Sequence, residues 1–337
     1  MSRPLPIIAG RMTSTPLVSI VIPVFNGSSY LRDAIDSALA QTYRNVEVVV
    51  VNDGSDDAGR SERIARSYGE HIIYLAKPNG GVASALNLAL GRISGDYWSW
   101  LSHDDWYSHD KIEIQMRRLV ALNDPRTAVY SDYSIVFEGS NATRTVRLKE
   151  VPPERFRYFI TLESSLHGCT LLLPRSAWLE CGPFDEKLLT TQDYDLWFRM
   201  AEHYRFIHVP EILVHSRFHA GQGSMKLREV ALREGNSLRR HFVDSITGSE
   251  LTMATGQSLL RSYADLAARL AVRGFSGAAW CAARRAIREF GHGTRRDDVI
   301  AWTTLVGTLL LGLPLGLARS VASARLRGII IAATGGQ

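Results

Sequence analysis

Two adjacent carboxylates, Asp104 and Asp105, follow the apolar run from Tyr97 to Ser102. Hard oxygen ligands of this kind suit Mg²⁺ or Mn²⁺ bridging to a diphosphate. The same pair would equally serve as the acidic start of a following helix. Asp53 follows a run of four valines and can accept hydrogen bonds from a base or ribose hydroxyl, or form an Asx turn in Asn52-Asp53-Gly54-Ser55. Asp193 stands near the start of a helical pattern whose apolar positions include Leu196, Trp197 and Met200. There it reads either as a helix cap or as a general base. Arg217 and His219 precede the Gly-rich stretch Gly221-Gln222-Gly223, where a histidine can ligate a metal or touch a phosphate. His167 and Cys169 flank Gly168 and admit both a structural and a ligand reading.

These residues need elements to hold them. Val18–Val24 is a β-branched, nearly all-apolar run, the pattern of a fully buried strand. A helix with apolar positions Leu31, Ala34, Ile35, Ala38 and Leu39 follows, capped by Ser28 or Ser29. Further strands are expected at 46–51, 71–75, 97–102, 128–132 and 206–214. Helices are expected from Ser55 to about Tyr68 and over 81–92 and 110–122. Alternating strands and helices predict an α/β fold with a mostly parallel sheet covered on both faces, whose ligands bind beyond the strands' carboxyl ends. The four expected strand ends read PVFNG, NDGSDD, KPNGG and SHDD. None carries GxGxxG or GxxxxGK[ST], so dinucleotide and ATP-loop chemistry lack their signature. An acidic edge that must hold a phosphate needs a divalent cation between the two.

With 45% hydrophobic and 22% charged residues, the 337-residue chain is outside the disordered class. Its three cysteines contain no CxxC pair, which disfavours a zinc or disulfide framework and fits a reducing compartment. Residues 1–225 carry 23 basic and 26 acidic side chains, whereas 226–337 carry 16 and 8, so the +5 net charge comes from the C-terminal third. That third has two apolar helical stripes: Leu259, Leu260, Tyr263, Leu266, Ala267 and Leu270, then Trp280, Ala283, Ile287 and Phe290. Arg284, Arg285, Arg288, Arg295 and Arg296 are placed to meet anionic headgroups. The uncharged stretch 299–318 has the length of a bilayer span but is interrupted by Pro314 and glycines. Membrane contact and a packed helix pair are both open for it. No aromatic–basic interleaving supports nucleic-acid binding. The expected organisation is a leader at 1–15, an α/β domain at 16–225 and a helical region at 226–337.

The fragments VSIVIPVFNGSSYLRDAIDSALAQTY, VEVVVVNDGSDD, NGGVASALNLAL, GDYWSWLSHDDWY, HGCTLLLPRSAW, CGPFDEKLLTTQDYDLWFRM and SRFHAGQGS occur in this order. Together they resemble family 2 glycosyltransferases over about residues 16–225. The resemblance implies a GT-A fold: a Rossmann-like, mostly parallel sheet flanked by helices, here with a helical C-terminal region. It places Pro23, Phe25 and Asn26 beside the nucleotide base, and Asp53 on base or ribose with Ser55 nearby. Asn79, Gly80 and Asn87 fall on the donor side. Ser102-His103-Asp104-Asp105 occupies the DxD position, and Arg217 and His219 a late segment close to the diphosphate. Asp104, Asp105 and His219 become the expected ligands of Mg²⁺ or Mn²⁺. Asp193 matches the acid usually serving as catalytic base. Ser102 replaces the first DxD carboxylate, and Gln192 replaces the Glu of the Glu-Asp pair.

The implied reaction is inverting transfer from a nucleotide-diphosphate sugar, UDP-sugar favoured, to a hydroxyl of a glycan or lipid-linked acceptor in cell-surface polysaccharide or glycan synthesis. The enzyme would sit in the cytoplasm, at the membrane's cytoplasmic face. Two alternatives are a sugar-phosphate nucleotidyltransferase, disfavoured by the PVFNG loop, and a non-catalytic sugar-nucleotide-binding scaffold.

Overall fold

In a computed structural model, the structure describes residues 15–140, 142–222, 227–292 and 294–307. Strands β1 (Val18–Val24), β2 (Val46–Asp53), β3 (Ile73–Lys77) and β4 (Tyr97–Trp100) alternate with helices α1 (Leu31–Leu39), α2 (Arg60–Arg66) and α3 (Gly81–Leu90). There follow β5 (Trp106–Tyr107), α4 (Lys111–Leu122), β6 (Thr127–Phe137), β7 (Thr143–Val146) and α5 (Phe156–Leu162). Next come β8 (Leu171–Pro174), α6 (Arg175–Cys181), α7 (Gln192–Met200) and β9 (Arg205–Phe218). The C-terminal part is helical: α8 (Arg228–Ser245), α9 (Gly248–Thr255), α10 (Leu259–Val272), α11 (Ser276–Arg288) and α12 (Arg295–Gly307).

The chain divides into two compact units. One comprises the chain to Leu148 with His167–Pro183 and Phe206–Phe218; the other comprises Lys149–Leu166, Phe184–Arg205 and the chain from His219. The first unit holds the sheet, in the order β3-β2-β1-β4-β8-β6-β9-β5, with β7 on β6. Pairing is parallel from β3 through β4, and antiparallel where β8 joins β4 to β6, where β7 meets β6 and where β5 meets β9.

β1 is buried along its whole length, as its nearly all-apolar run predicts. Pro23 is tolerated there because β4 pairs only with Val18–Val21, the last carbonyl, on Val21, being used by Leu101 N–H. The missing proline N–H lies past the end of that ladder, so no sheet bond is lost. α1 turns Leu31, Ala34, Ile35 and Ala38 into the core, one helical stripe.

Two expected caps are not made. α1 starts after Tyr30, and neither Ser28 nor Ser29 caps it. α2 starts only at Arg60, and Ser61 donates from N–H and Oγ to Asp57 Oδ2 at 3.0 and 2.7 Å. Ser55 instead accepts from the Asn26 N–H at 3.0 Å. β6 and β9 run well beyond the expected 128–132 and 206–214.

The second unit is helical. Phe198 on α7 stacks on Phe242 of α8, with ring centres 3.9 Å apart. Arg239 donates to the Glu163 carbonyl at 3.0 Å and to Ser164 Oγ at 2.7 Å. The stripe Leu260, Tyr263, Leu266, Ala267 and Leu270 is buried, as a core face of α10. α11 departs from the expected stripe: it buries Ala278, Ala279, Ala282, Ala283 and Ala286, while Trp280 and Ile287 are 53% and 50% exposed. Small side chains bring a helix close to its neighbour, so the larger apolar ones are left outside. Among the described residues no helix is long and apolar enough to cross a membrane; the expected segment 299–318 is described only as far as Gly307.

Candidate active site

The loops at the carboxyl ends of β1, β2, β3 and β4 interlock in the first unit. Asn26, in a left-handed conformation at φ 51°, clasps the β2 loop: its Nδ2 donates to Asp56 Oδ1 at 2.5 Å and its Oδ1 accepts from Asp56 N–H at 2.9 Å. Gly27 is pinned between loops. Its N–H donates to Ser61 Oγ at 3.1 Å, and a Cβ there would stand 2.2 Å from His103 Cδ2. Only hydrogen fits, and the β1 loop is thereby seated on the imidazole that precedes Asp104. Phe25 is 45% exposed beside this clasp, the side chain expected to border a base.

Asp53 is buried and fully engaged. Oδ1 accepts from Lys77 Nζ at 2.7 Å and Gly80 N–H at 3.0 Å, and Oδ2 from Gly81 N–H at 2.8 Å. The carboxylate therefore sits on the N-terminal amides of α3, where the helix dipole favours negative charge. The Asx turn belongs to Asn52, whose Oδ1 accepts from Ser55 N–H at 3.0 Å. Gly54 supplies the positive φ of 69° and leaves room for Asn79, whose N would be 2.4 Å from a Cβ. Asp53 thus fixes Asn79 and Gly80, two of the expected donor-side residues; Asn87, half-buried, lies further along α3.

No helix starts at Asp104 or Asp105. The next element is the short β5, so the capping reading of this pair fails. Asp104 is half-buried, while Asp105 is 2% exposed. Asp105 Oδ1 accepts from Arg217 N–H at 2.9 Å and Oδ2 from Cys169 Sγ at 3.7 Å, with His167 Nε2 at 3.6 Å. Burial, then repulsion by Asp104, pushes the Asp105 carboxyl up to about 8. Burial pushes the His167 imidazole down to about 4, so it stands neutral; its Nδ1 accepts from Cys169 N–H at 3.3 Å, which leaves the proton on Nε2, toward Asp105. The ligand atoms of Asp105, His167 and Cys169 all lie within 4.8 Å of one another. Arg217 ties the site to α1 and β5: Nε donates to the Asp104 carbonyl at 3.2 Å and Nη2 to Asp33 at 2.8 Å, and the guanidinium lies over the Tyr30 and Trp106 rings. The sequence singled out Arg217 without these partners, and left His103 and Lys77 without a role.

In the second unit, Asp193 occupies the first turn of α7 rather than its cap; the cap position is Thr191. Its Oδ1 accepts from Tyr194 N–H at 2.8 Å. Glu234 holds the approach to this turn, accepting from the N–H groups of Leu189 and Thr190 at 2.8 and 2.9 Å. Burial pushes the Asp193 carboxyl up to about 6, against the opposing backbone hydrogen bonds and Arg239. The neighbouring Gln192 is 4% exposed, and its Oε1 has no hydrogen-bond partner among the described residues. His219 begins the second unit's C-terminal part, directly after β9.

Comparison with known proteins assigns the class. The profile of glycosyl transferase family 2 matches residues 19–177. An uncharacterized glycosyltransferase of Rickettsia prowazekii is 42% identical over 268 residues, covering 77% of this chain and 82% of that protein. The chain belongs to this family. One of Rickettsia felis is 46% identical over 240 residues, 70% of this chain, but this chain spans only 40% of its length. The hyaluronan synthase of Pasteurella multocida is 31% identical over 247 residues, 71% of this chain and 24% of that protein. The fold is that of S. aureus TarS 1-349, crystallised with UDP-GlcNAc: TM-score 0.60, 15% identity, covering 86% of this chain and 91% of that one.

Proposed function

We propose that the chain is an inverting transferase that moves a sugar from a UDP-sugar to a hydroxyl of a glycan or lipid-linked acceptor, at the cytoplasmic face of the membrane. The observation that carries this reading is Asp193, a carboxyl held by burial at about 6. It is largely ionised at neutral pH yet basic enough to take a proton, as a general base must be. Asp193 accepts the acceptor's hydroxyl proton as that oxygen attacks the anomeric carbon on the face opposite the departing diphosphate. Gln192 Oε1, an acceptor without a partner among the described residues, is available to hold a second acceptor hydroxyl. On the donor side, Pro23, Phe25 and Asn26 border the base. Asp53 orders the loop of Asn79 and Gly80 at the ribose, with Ser55 alongside, and Arg217 contributes positive charge near the diphosphate. The 16–225 stretch is the catalytic part in this reading.

The donor set fits a hard cation: Asp104 is a half-buried carboxylate beside the buried Asp105, whose charge the protein leaves under-compensated. Asp104, with Asp105, would hold Mg²⁺ or Mn²⁺, which when bound supplies positive charge to the leaving diphosphate. Asp105, His167 and Cys169 form a mixed O, N and S set that suits a softer metal better. A relative named for hyaluronan synthesis supports an acceptor that is a growing surface polysaccharide.

The test is transfer from UDP-sugars to oligosaccharide acceptors with Mn²⁺, the configuration of the new glycosidic linkage being read from its anomeric proton by NMR and compared with that of the donor. Inversion supports the single-displacement reading. Retention overturns it, and nucleotide-sugar binding with neither transfer nor donor hydrolysis favours the scaffold.

A further inference from the structure

The second unit contains a pocket of about 350 Å³ between α8 and α11, lined by Arg240, Asp244, Trp280, Arg284, Arg285 and Arg288 among others. The volume suits a small ligand group rather than a protein segment. Four guanidinium groups face one carboxylate. That carboxylate is already used: Asp244 Oδ1 accepts from Arg285 Nη2 at 2.8 Å and from Cys281 Sγ at 3.2 Å. Among the described residues, Arg240, Arg284 and Arg288 form no ion pair. α11 comes close enough to build the pocket because Gly277 leaves room for Asn236, whose Nδ2 would be 2.7 Å from a Cβ, and because its inner face is alanine. Three unpaired guanidiniums around a cavity are a receptor for an anion with several oxygens, and arginine's planar fork matches phosphate in particular.

The rest of the helix face says where that phosphate comes from. Trp280, Arg284, Ile287 and Arg288 recur at helical spacing along one exposed face of α11. On α12, the next helix along the chain, Val299 and Trp302 are 63% and 59% exposed. Exposed tryptophan and aliphatic side chains interleaved with arginine match a bilayer's interfacial zone, where the ring sits at headgroup level and the guanidinium meets phosphate. A soluble phosphate ligand would have no use for the apolar members of that face.

The geometry points to this pocket as the binding site for the phosphate headgroup of an anionic membrane lipid, with Trp280 and Ile287 seated in the bilayer interface. This deepens the proposed placement at the membrane face and is independent of the transfer chemistry. The full-length protein is sedimented with phosphatidylcholine vesicles, with and without phosphatidylglycerol. Thermal shift with inorganic phosphate runs in parallel, and transfer to a soluble acceptor is recorded for every variant. The double variant R284Q/R288Q is compared with R117Q/R118Q, which removes the same charge from exposed positions of α4. Wild type is expected to prefer the anionic vesicles. R284Q/R288Q should weaken that preference by roughly tenfold or more, at about a few-fold to tenfold per arginine, with R117Q/R118Q and soluble transfer unchanged. Anionic vesicle binding equal in wild type and R284Q/R288Q overturns the pocket while leaving the membrane placement standing. No vesicle binding by wild type overturns both, without touching the transferase reading. Stabilisation by inorganic phosphate without vesicle binding reassigns the pocket to a soluble phosphate and likewise overturns the lipid assignment.

Discussion

The backbone N–H of Arg217 donates to Asp105 Oδ1 at 2.9 Å, joining residues 112 positions apart, so the end of β9 holds the acidic loop after β4. The same residue's side chain reaches the Asp104 carbonyl and Asp33, sandwiched by the rings of Tyr30 and Trp106. Arg217→Ala keeps the backbone bond and removes the fork. Charged hydrogen bonds contribute about 1.5–3 kcal/mol each, so donor affinity is expected to fall roughly 10- to 100-fold. Arg217→Lys should not restore it, because a point charge neither forks nor stacks. Donor titration of both variants decides, and a lysine variant equal to wild type would refute the role given to the fork.

Asp104 and Asp105 should separate cleanly on mutation. Asp104→Ala removes a half-buried carboxylate and is expected to weaken donor binding and abolish its dependence on Mn²⁺ while leaving Tm nearly unchanged. Asp105→Ala strips partners from Arg217 N–H and Cys169 in a buried site, a change that typically destabilises by about 1–3 kcal/mol. Nucleotide-diphosphate titrations with and without Mn²⁺, beside melting curves, give both readouts. Equal metal dependence in Asp104→Ala and wild type contradicts the assignment.

β1 was legible to the residue because a nearly all-apolar, β-branched run of seven reads as a strand buried on both faces. β6 and β9 were not, because their distal halves carry partly exposed residues, and it is antiparallel pairing, not local pattern, that extends them. The acidic strand ends could be read from sequence since each follows its strand directly. The meeting of Asp105 with His167 and Cys169 could not: it depends on β8 inserting antiparallel between β4 and β6. α11 misled for a different reason. Its buried face is built of alanines, and a pattern that weights large apolar residues selects Trp280 and Ile287 instead.

Lys111 illustrates a core feature with no signal in sequence. It is fully buried, with Nζ donating to Ser99 Oγ at 2.9 Å and Gln115 Oε1 at 2.7 Å, and burial pushes it down to about 7. The unfolded chain keeps this proton until about 10.4. Between those values the unfolded state binds more protons, so this group's contribution to stability rises with pH across the window and is smallest below 7. The Tm difference between Lys111→Met and wild type, measured from pH 6 to 10, should favour the methionine variant most at low pH and shrink upward. A difference independent of pH would mean that Lys111 titrates normally.

Asp193 should show opposite signs in activity and stability. Its folded carboxyl holds a proton to about 6, whereas an unfolded aspartate releases it near 3.9. As a base it must be ionised, so kcat is expected to rise through about pH 6 and level off above. For stability the sense reverses: between about 3.9 and 6 the folded state binds the extra proton, so this group's contribution is greatest below the window and lost as pH rises through it. At neutral pH the buried charge is a penalty, and Asp193→Asn removes it while keeping an oxygen for the Tyr194 N–H. The variant should therefore lose about 10²–10⁴-fold in transfer rate, retain donor binding, and melt higher than wild type at pH 7.5 but not at pH 4. Kinetics and melting curves on the same preparations test both arms. Near wild-type turnover removes Asp193 as the base, and a lower Tm at pH 7.5 contradicts the burial that gives the carboxyl its basicity.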